Sequence, residues 1–420
     1  MTEFYDALEH RDPSVREARL MAALPQQVGA ALRTPAFAER LAGVDAATVS
    51  SRAALAALPV TRKHELLARQ QAERERDPFG GFSAIGWRAL HGSGNGALRV
   101  FQSPGPIYEP EGRARDYWRM ARALWAAGFR AGDLMHNSFS YHLTPAGSML
   151  ESGAQAIGCT VFPGGVGNTE LQLQAMAELK PDGYAGTPSF LRIALEKAAE
   201  AGITLPSLKK AVVSGEAFPA ALRDWMRERG LEAYQSYATA DVGLIAYETA
   251  ARDGLVLDEG VIVEIVRPGT GDPVAEGEVG EVVVTVLNPD YPLVRFGTGD
   301  LSAVLPGPCS TGRTNTRIKG WLGRADQTAK VRGMFVHPSQ VAEVLRRFPE
   351  AGKARLVISG EMANDRMTLK VETSSAAESL AQRMADAIRD VTKLRGEVEL
   401  CTPGSLPNDG KVIDDTRKVG

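Results

Sequence analysis

The sequence predicts an α/β protein of two unequal units: a large one built on parallel strands flanked by helices and carrying a β-rich subdomain, and a small C-terminal α/β unit. Three observations predict this. Helical and strand-like apolar spacings alternate from Tyr117 to about residue 214, the pattern of a mainly parallel sheet covered by helices. Past residue 255 the texture changes to the apolar runs VIVEIV at 261–266 and EVVVTVL at 281–287, separated by the turn-rich PGTGDPVAEGEVG. Finally, 420 residues and 45.0 kDa exceed what one hydrophobic core usually serves.

Residues 1 to about 75 read as short helices, with Leu20, Leu24, Phe37, Leu41, Leu55 and Leu58 punctuated by Pro13, Pro25, Pro35 and Pro59. The run YWRMARALWAAG from Tyr117 to Gly128 has helical spacing, and a strand follows around Leu134 to Phe139. A helix TELQLQAMAELK from Thr169 precedes an extended GYAG, and a helix SFLRIALEKAAEAG precedes the apolar strand KKAVVSG. Ligands of such sheets collect at the carboxyl ends of the strands, where the loop SGEAF at 214–218 would lie. The β-rich segment after residue 255 reads as a meander or barrel-like subdomain. The C-terminal part holds strands near RLVISG and MTLKVE, an amphipathic helix using Leu380, Met384, Ile388 and Val391, and the strand EVELC. There is no internal repeat or low-complexity tract.

Forty-eight Lys and Arg against 51 Asp and Glu leave a net charge of -3, so no global field favours nucleic acid or an anionic membrane. The three cysteines are odd in number and far apart, which fits reduced thiols better than a disulfide framework or a zinc ribbon. The N-terminus carries acids from its third residue and lacks the apolar core of a secretion signal, and no apolar run is long enough to span a bilayer. A cytoplasmic location is the expectation.

Five segments occur in one order along the chain: LPVTRKHEL at 58–66, DPFGGFSA at 77–84, GTPSFLR at 186–192, YPLVRFGTGDL at 291–301 and GRADQTAKVRGMFVHPSQV at 323–341. Together, across nearly the whole chain, they resemble the phenylacetate–coenzyme A ligase family of AMP-forming acyl- and aryl-CoA synthetases. The resemblance implies an adenylate-forming domain over residues 1–323 and a small mobile lid over 324–420. It implies ATP, Mg2+ and coenzyme A as cofactors, a small carboxylic acid, aryl or arylacetic, as substrate, and it allows a homodimer. In that family a carboxylate attacks the α-phosphate of ATP, and a thiol then displaces AMP from the acyl adenylate. Two other readings stay open: loading of a carrier-protein thiol, and a degenerate member that binds nucleotide or acyl-CoA without turnover.

The same resemblance assigns residues. Lys411, in LPNDGKVID, matches the closing-lid lysine, a mobile point charge for acyl and phosphate oxygens. Asp300 in GTGDL resembles the ribose-binding acid, suited by its two acceptor oxygens. Arg324 resembles a nucleotide-contacting arginine, and Asp326 the hinge, although a surface ion pair between them is an alternative. Gly215, Glu216 and Ala217 match the loop against adenine, and Tyr237 in YATAD matches a tyrosine that stacks on it. Asp241 stands where the family's glutamate helps hold magnesium, and Ala240 removes a hydroxyl beside it. Tyr141, His142 and Phe190 are candidates to line the acyl pocket. The segment YETAARDGL lacks the Cys and His of some relatives, so no zinc site is expected.

The phosphate loop departs from the pattern. The family's SSGTTGKP aligns with SPGPIYEP at 103–110, where Pro104 and Pro106 have no N–H to donate and Glu109 brings a negative charge to a lysine position. The Gly-rich HGSGNGA at 91–97 is a candidate substitute cradle, with an ordinary turn between strands as its alternative.

Overall fold

Residues 13–32 form one 20-residue helix, Pro13–Leu32, where the prolines had predicted short ones. Asp12 caps it, accepting from Ser14 N and Val15 N, and Pro13 occupies the first turn, where its missing N–H costs nothing. Pro25 inside the helix removes one hydrogen bond, a cost of about 3 kcal/mol. The stripe Leu20, Leu24, Val28 and Ala31 is buried in the core, and each large aliphatic side chain buried contributes about 1.5–3 kcal/mol. Burial therefore carries the helix through its proline. This computed structural model describes residues 3–86, 96–325, 329–332, 334–336, 338–360, 364–374, 378–407 and 411–417. It divides into two compact units, Met1–Leu322 and Gly323–Gly420.

In the first unit a nine-stranded sheet holds Thr160–Pro163, Leu134–Asn137, Gly183–Gly186, Lys210–Val213 and Glu232–Thr239 as parallel neighbours. Gly243–Glu248 then turns back antiparallel and leads to Leu255–Leu257, Arg317–Ile318 and Val304–Leu305. The helices Thr169–Leu179 and Pro188–Glu200 stand where their spacing predicted. The helix expected from Tyr117 is shorter, Ala121–Ala126. Asp116 and Arg119 take left-handed backbone conformations, and the Asp116 carboxylate accepts from Ala121 N at 3.0 Å, so the helix begins only there.

Three antiparallel strands, Val261–Val266, Gly280–Val286 and Phe296–Ser302, make the β-rich part, and Thr61–Arg62 from the N-terminal segment pairs parallel with the last. Arg295 locks this junction. Its buried guanidinium pairs with Glu264 at 3.0 Å and donates to the carbonyls of Ala56 and Gly271 at 2.7 Å each. A buried charge persists only when paired and hydrogen-bonded in this way. The strand beginning one residue later carries Asp300.

The second unit has a four-stranded sheet in the order Glu397–Cys401, Arg366–Glu372, Ala354–Ser359, Ile413–Asp415. Helices Pro338–Arg346 and Glu378–Thr392 contribute Val341, Val344, Leu380, Met384 and Ile388 to its core. No described helix is long and apolar enough to cross a membrane.

Candidate active site

The loop Ser214–Phe218 leaves the carboxyl end of Lys210–Val213, as the alternation predicted. Gly215 has φ 79°, a left-handed conformation that a side chain would strain. Ser214 Oγ donates to the carbonyl of Ser236 at 2.7 Å, tying the loop to the neighbouring strand. Glu216 accepts from Ser189 N at 3.3 Å, which joins the loop to the start of the helix bearing Phe190. Glu216 and Ala217 stay half-exposed and Gly215 exposed, so the loop presents open surface.

Tyr237 lies on the next strand and reaches the β-rich sheet that carries Asp300. Its hydroxyl donates to Asp300 Oδ2 at 2.9 Å and lies 3.2 Å from Thr298 Oγ1, which accepts from Asp300 N at 3.1 Å. Asp300 is buried, and its other oxygen accepts from the indole N–H of Trp321 at 3.1 Å. Two residues assigned to nucleotide thus meet. Trp321 was not singled out from sequence; its only signal is its place two residues before GRAD.

The segment SPGPIYEP forms a hairpin, Arg99–Ser103 against Ile107–Glu111, with Pro104, Gly105 and Pro106 at its tip. Glu109 does not project from it as an exposed charge. Its side chain is fully buried, and its Oε1 accepts from the hydroxyl of Ser103, whereas Oε2 has no partner among the described residues. Burial, reinforced by the nearby Asp241 carboxylate and opposed by Lys63, pushes its carboxyl up to about 8. At neutral pH it is chiefly a neutral acid.

Asp241 sits in the turn between Glu232–Thr239 and Gly243–Glu248 and is buried. Lys63 Nζ lies 2.8 Å from its Oδ2, while Oδ1 has no partner among the described residues. Lys63, from the TRKHEL segment, was missed as a site residue. Among the described residues no three or more His, Cys, Asp or Glu converge as metal ligands, so a cation at Asp241 would rely on one or two protein carboxylates. That suits magnesium, which commonly takes one or two carboxylates with phosphates and waters, and Oδ1, buried and without a partner among the described residues, is a hard oxygen donor of the right kind.

Of the acyl-pocket candidates, Tyr141 is half-buried and accepts from Asn137 Nδ2 at 2.8 Å. Gly147 makes room for it, because a Cβ there would lie 2.9 Å from the tyrosine ring. His142 is exposed, and its backbone closes a turn with the Ser140 hydroxyl. Phe190 is half-buried beneath the cap made by Thr187. In the second unit, Lys411 is exposed and pairs with Asp414 at 3.2 Å, and Arg324 lies on the short strand Gly323–Arg324. Asp326 and residues 91–95 of the Gly-rich segment lie outside the described residues.

Residues 119–286 match a family model described as AMP-binding enzyme, and 333–417 match one described as AMP-binding enzyme C-terminal domain. The chain is 30% identical over 417 residues to a phenylacetate–coenzyme A ligase of Thermus thermophilus, covering 90% of each protein. It is 31% identical over 389 residues to one of Aromatoleum evansii, covering 87% of this chain and 84% of that one. The fold is that of a 2-hydroxyisobutyryl-CoA ligase solved with 2-HIB-AMP and CoA, with a TM-score of 0.81 at 23% identity over all of this chain and 93% of the other. This similarity over most of both chains, with both AMP-binding matches in order, establishes that the chain belongs to the phenylacetate–coenzyme A ligase family of AMP-forming enzymes.

Proposed function

We propose that this protein activates an arylacetic acid, phenylacetate being the first to try, as its acyl adenylate and transfers the acyl group to coenzyme A. The observation that carries the reading is the meeting of Tyr237 with Asp300, 63 residues apart in sequence, beside the carboxyl ends of the parallel strands. In the first half-reaction a carboxylate oxygen bonds to the α-phosphorus as the bond to pyrophosphate breaks. In the second, the coenzyme A sulfur, having lost its proton, bonds to the acyl carbon as AMP leaves with the bonding pair.

The residues divide the work accordingly. Asp300 accepts from ribose, Tyr237 and the 215–217 loop flank adenine, and Arg324 contacts the nucleotide. Lys411 supplies positive charge to the acyl and phosphate oxygens, with Asp326 as the hinge of its unit. Tyr141, His142 and Phe190 line the acid's pocket. Asp241 is the residue that would hold magnesium, which when bound would supply positive charge to the phosphates.

The test is a panel of arylacetic, benzoic and alkyl acids assayed for acid-dependent pyrophosphate release, with and without coenzyme A. The expected result is release with arylacetic acids, followed by thioester and AMP only when coenzyme A is present. Pyrophosphate release with no acid dependence contradicts the reading.

A further inference from the structure

We infer that Trp321 is a positioning residue for the nucleotide: its indole N–H fixes the plane of the Asp300 carboxylate and thereby sets a preference for ribonucleotides over 2′-deoxyribonucleotides. The inference deepens the reading above and rests on Asp300 as the ribose acceptor.

The geometry is built from the backbone upward. Lys319 N donates to the Ala303 carbonyl and Leu322 N to the Leu301 carbonyl, each at 2.9 Å. The segment 319–322 is therefore laced along the end of the strand that carries Asp300, and Trp321 in its middle turns its ring back to that carboxylate. The indole N–H meets Oδ1 at 3.1 Å, and the Tyr237 hydroxyl meets Oδ2 at 2.9 Å. A carboxylate held by one donor can still swing about its Cβ–Cγ bond. Held by a donor on each oxygen, it keeps one orientation, and hydrogen bonds to an ionised acceptor are the stronger kind.

Two neighbouring hydroxyls need an acceptor pair at a set spacing and direction. A pre-aligned carboxylate loses little freedom when they bind, and a site organised around a substrate hydroxyl discriminates against the analogue that lacks it. Trp321 is half-exposed, and indole offers a donor only, so it orients Asp300 without competing as an acceptor for the ribose hydroxyls.

The experiment measures ATP and 2′-deoxy-ATP affinity by calorimetry for the wild type, Trp321→Phe, Asp300→Ala and the double variant. Trp321→Phe keeps an aromatic ring and removes the donor. The expected result is a fall of about fivefold in the preference for ATP, from weaker ATP binding, with 2′-deoxy-ATP changed less than about twofold and the KM for acid unchanged. Asp300→Ala removes the preference, and Trp321→Phe then adds nothing to it. Equal weakening of both nucleotides makes Trp321 a packing residue and overturns the inference, as does an unchanged preference. Should Asp300→Ala keep the wild-type preference, the ribose assignment itself fails, an outcome distinct from a silent Trp321→Phe. If Trp321→Phe does not fold, Trp321→Leu, which also lacks the donor, replaces it, with the same fall in preference expected and an unchanged preference overturning the inference.

Discussion

Lys63 and Asp241 pair at 2.8 Å across 178 residues of sequence, and the pairing joins the N-terminal segment to the turn assigned to magnesium. Asp241 is buried and Lys63 partly in water. Removing the lysine strands a buried carboxylate, which costs about 3–5 kcal/mol where both partners are buried. With Lys63 partly exposed, Lys63→Met should cost on the order of 2 kcal/mol. Urea unfolding of Lys63→Met, Asp241→Asn and the double variant checks this. The double variant should lose less than the two losses combined; simple additivity would show that the pair is not coupled.

Glu109 should make stability depend on pH. Its folded carboxyl titrates at about 8, against an ordinary value of 4.5. Between those values the folded state keeps a proton that the unfolded chain has released, so the contribution of Glu109 to stability falls as pH rises through that window and is level outside it. Glu109→Gln does not titrate. Its stability relative to the wild type should therefore climb between about pH 5 and about pH 8.5, as read by urea midpoints; a constant difference would place the titration elsewhere.

The same carboxyl should modulate ATP binding only when ionised. We expect Glu109→Gln to bind ATP much like the wild type at about pH 7 and more tightly above about pH 8, with AMP little affected. Calorimetry with both nucleotides at both pH values tests it. An ATP affinity indifferent to Glu109→Gln at high pH would put the hairpin away from the phosphates.

What could be read in advance divides along physical lines. Val261–Val266 and Lys210–Val213 were legible because short apolar runs bounded by turns have few other homes. Pro25 misled, since burial of Leu20, Leu24 and Val28 outweighs one lost hydrogen bond. The late start of Ala121–Ala126 depends on Asp116 in a left-handed conformation, and local spacing carries no sign of it. Tyr237 and Asp300 were visible as motif positions, but their hydrogen bond was not. Lys63 and Trp321 were missed for a related reason: their partners are supplied by the fold. Glu109 was seen as a charge in a loop, and burial turned it into a neutral acid.

Lys411→Ala should lower adenylate formation by orders of magnitude while leaving ATP binding nearly intact, because in the function proposed here its charge acts on the transition state. Thioester formation from preformed phenylacetyl adenylate should survive. Normal rates of acid-dependent pyrophosphate release in this variant would remove Lys411 from the chemistry.

Asp300→Ala should weaken ATP and AMP alike by about tenfold or more, since both share the ribose, and leave the acid's KM unchanged. Calorimetry with a folding check by thermal melting decides it. Unchanged affinity in a folded variant would exclude the ribose contact.

The most direct measurement of the central claim follows oxygen. In adenylation the attacking atom is a carboxylate oxygen, which stays on phosphorus when the thiol displaces AMP. Phenylacetate labelled with 18O in its carboxylate, turned over with ATP and coenzyme A, should therefore yield AMP carrying one 18O, with pyrophosphate unlabelled, as read by mass spectrometry. Label in phosphate or pyrophosphate, or thioester formed with unlabelled AMP, would contradict an acyl adenylate and with it the function proposed for this chain.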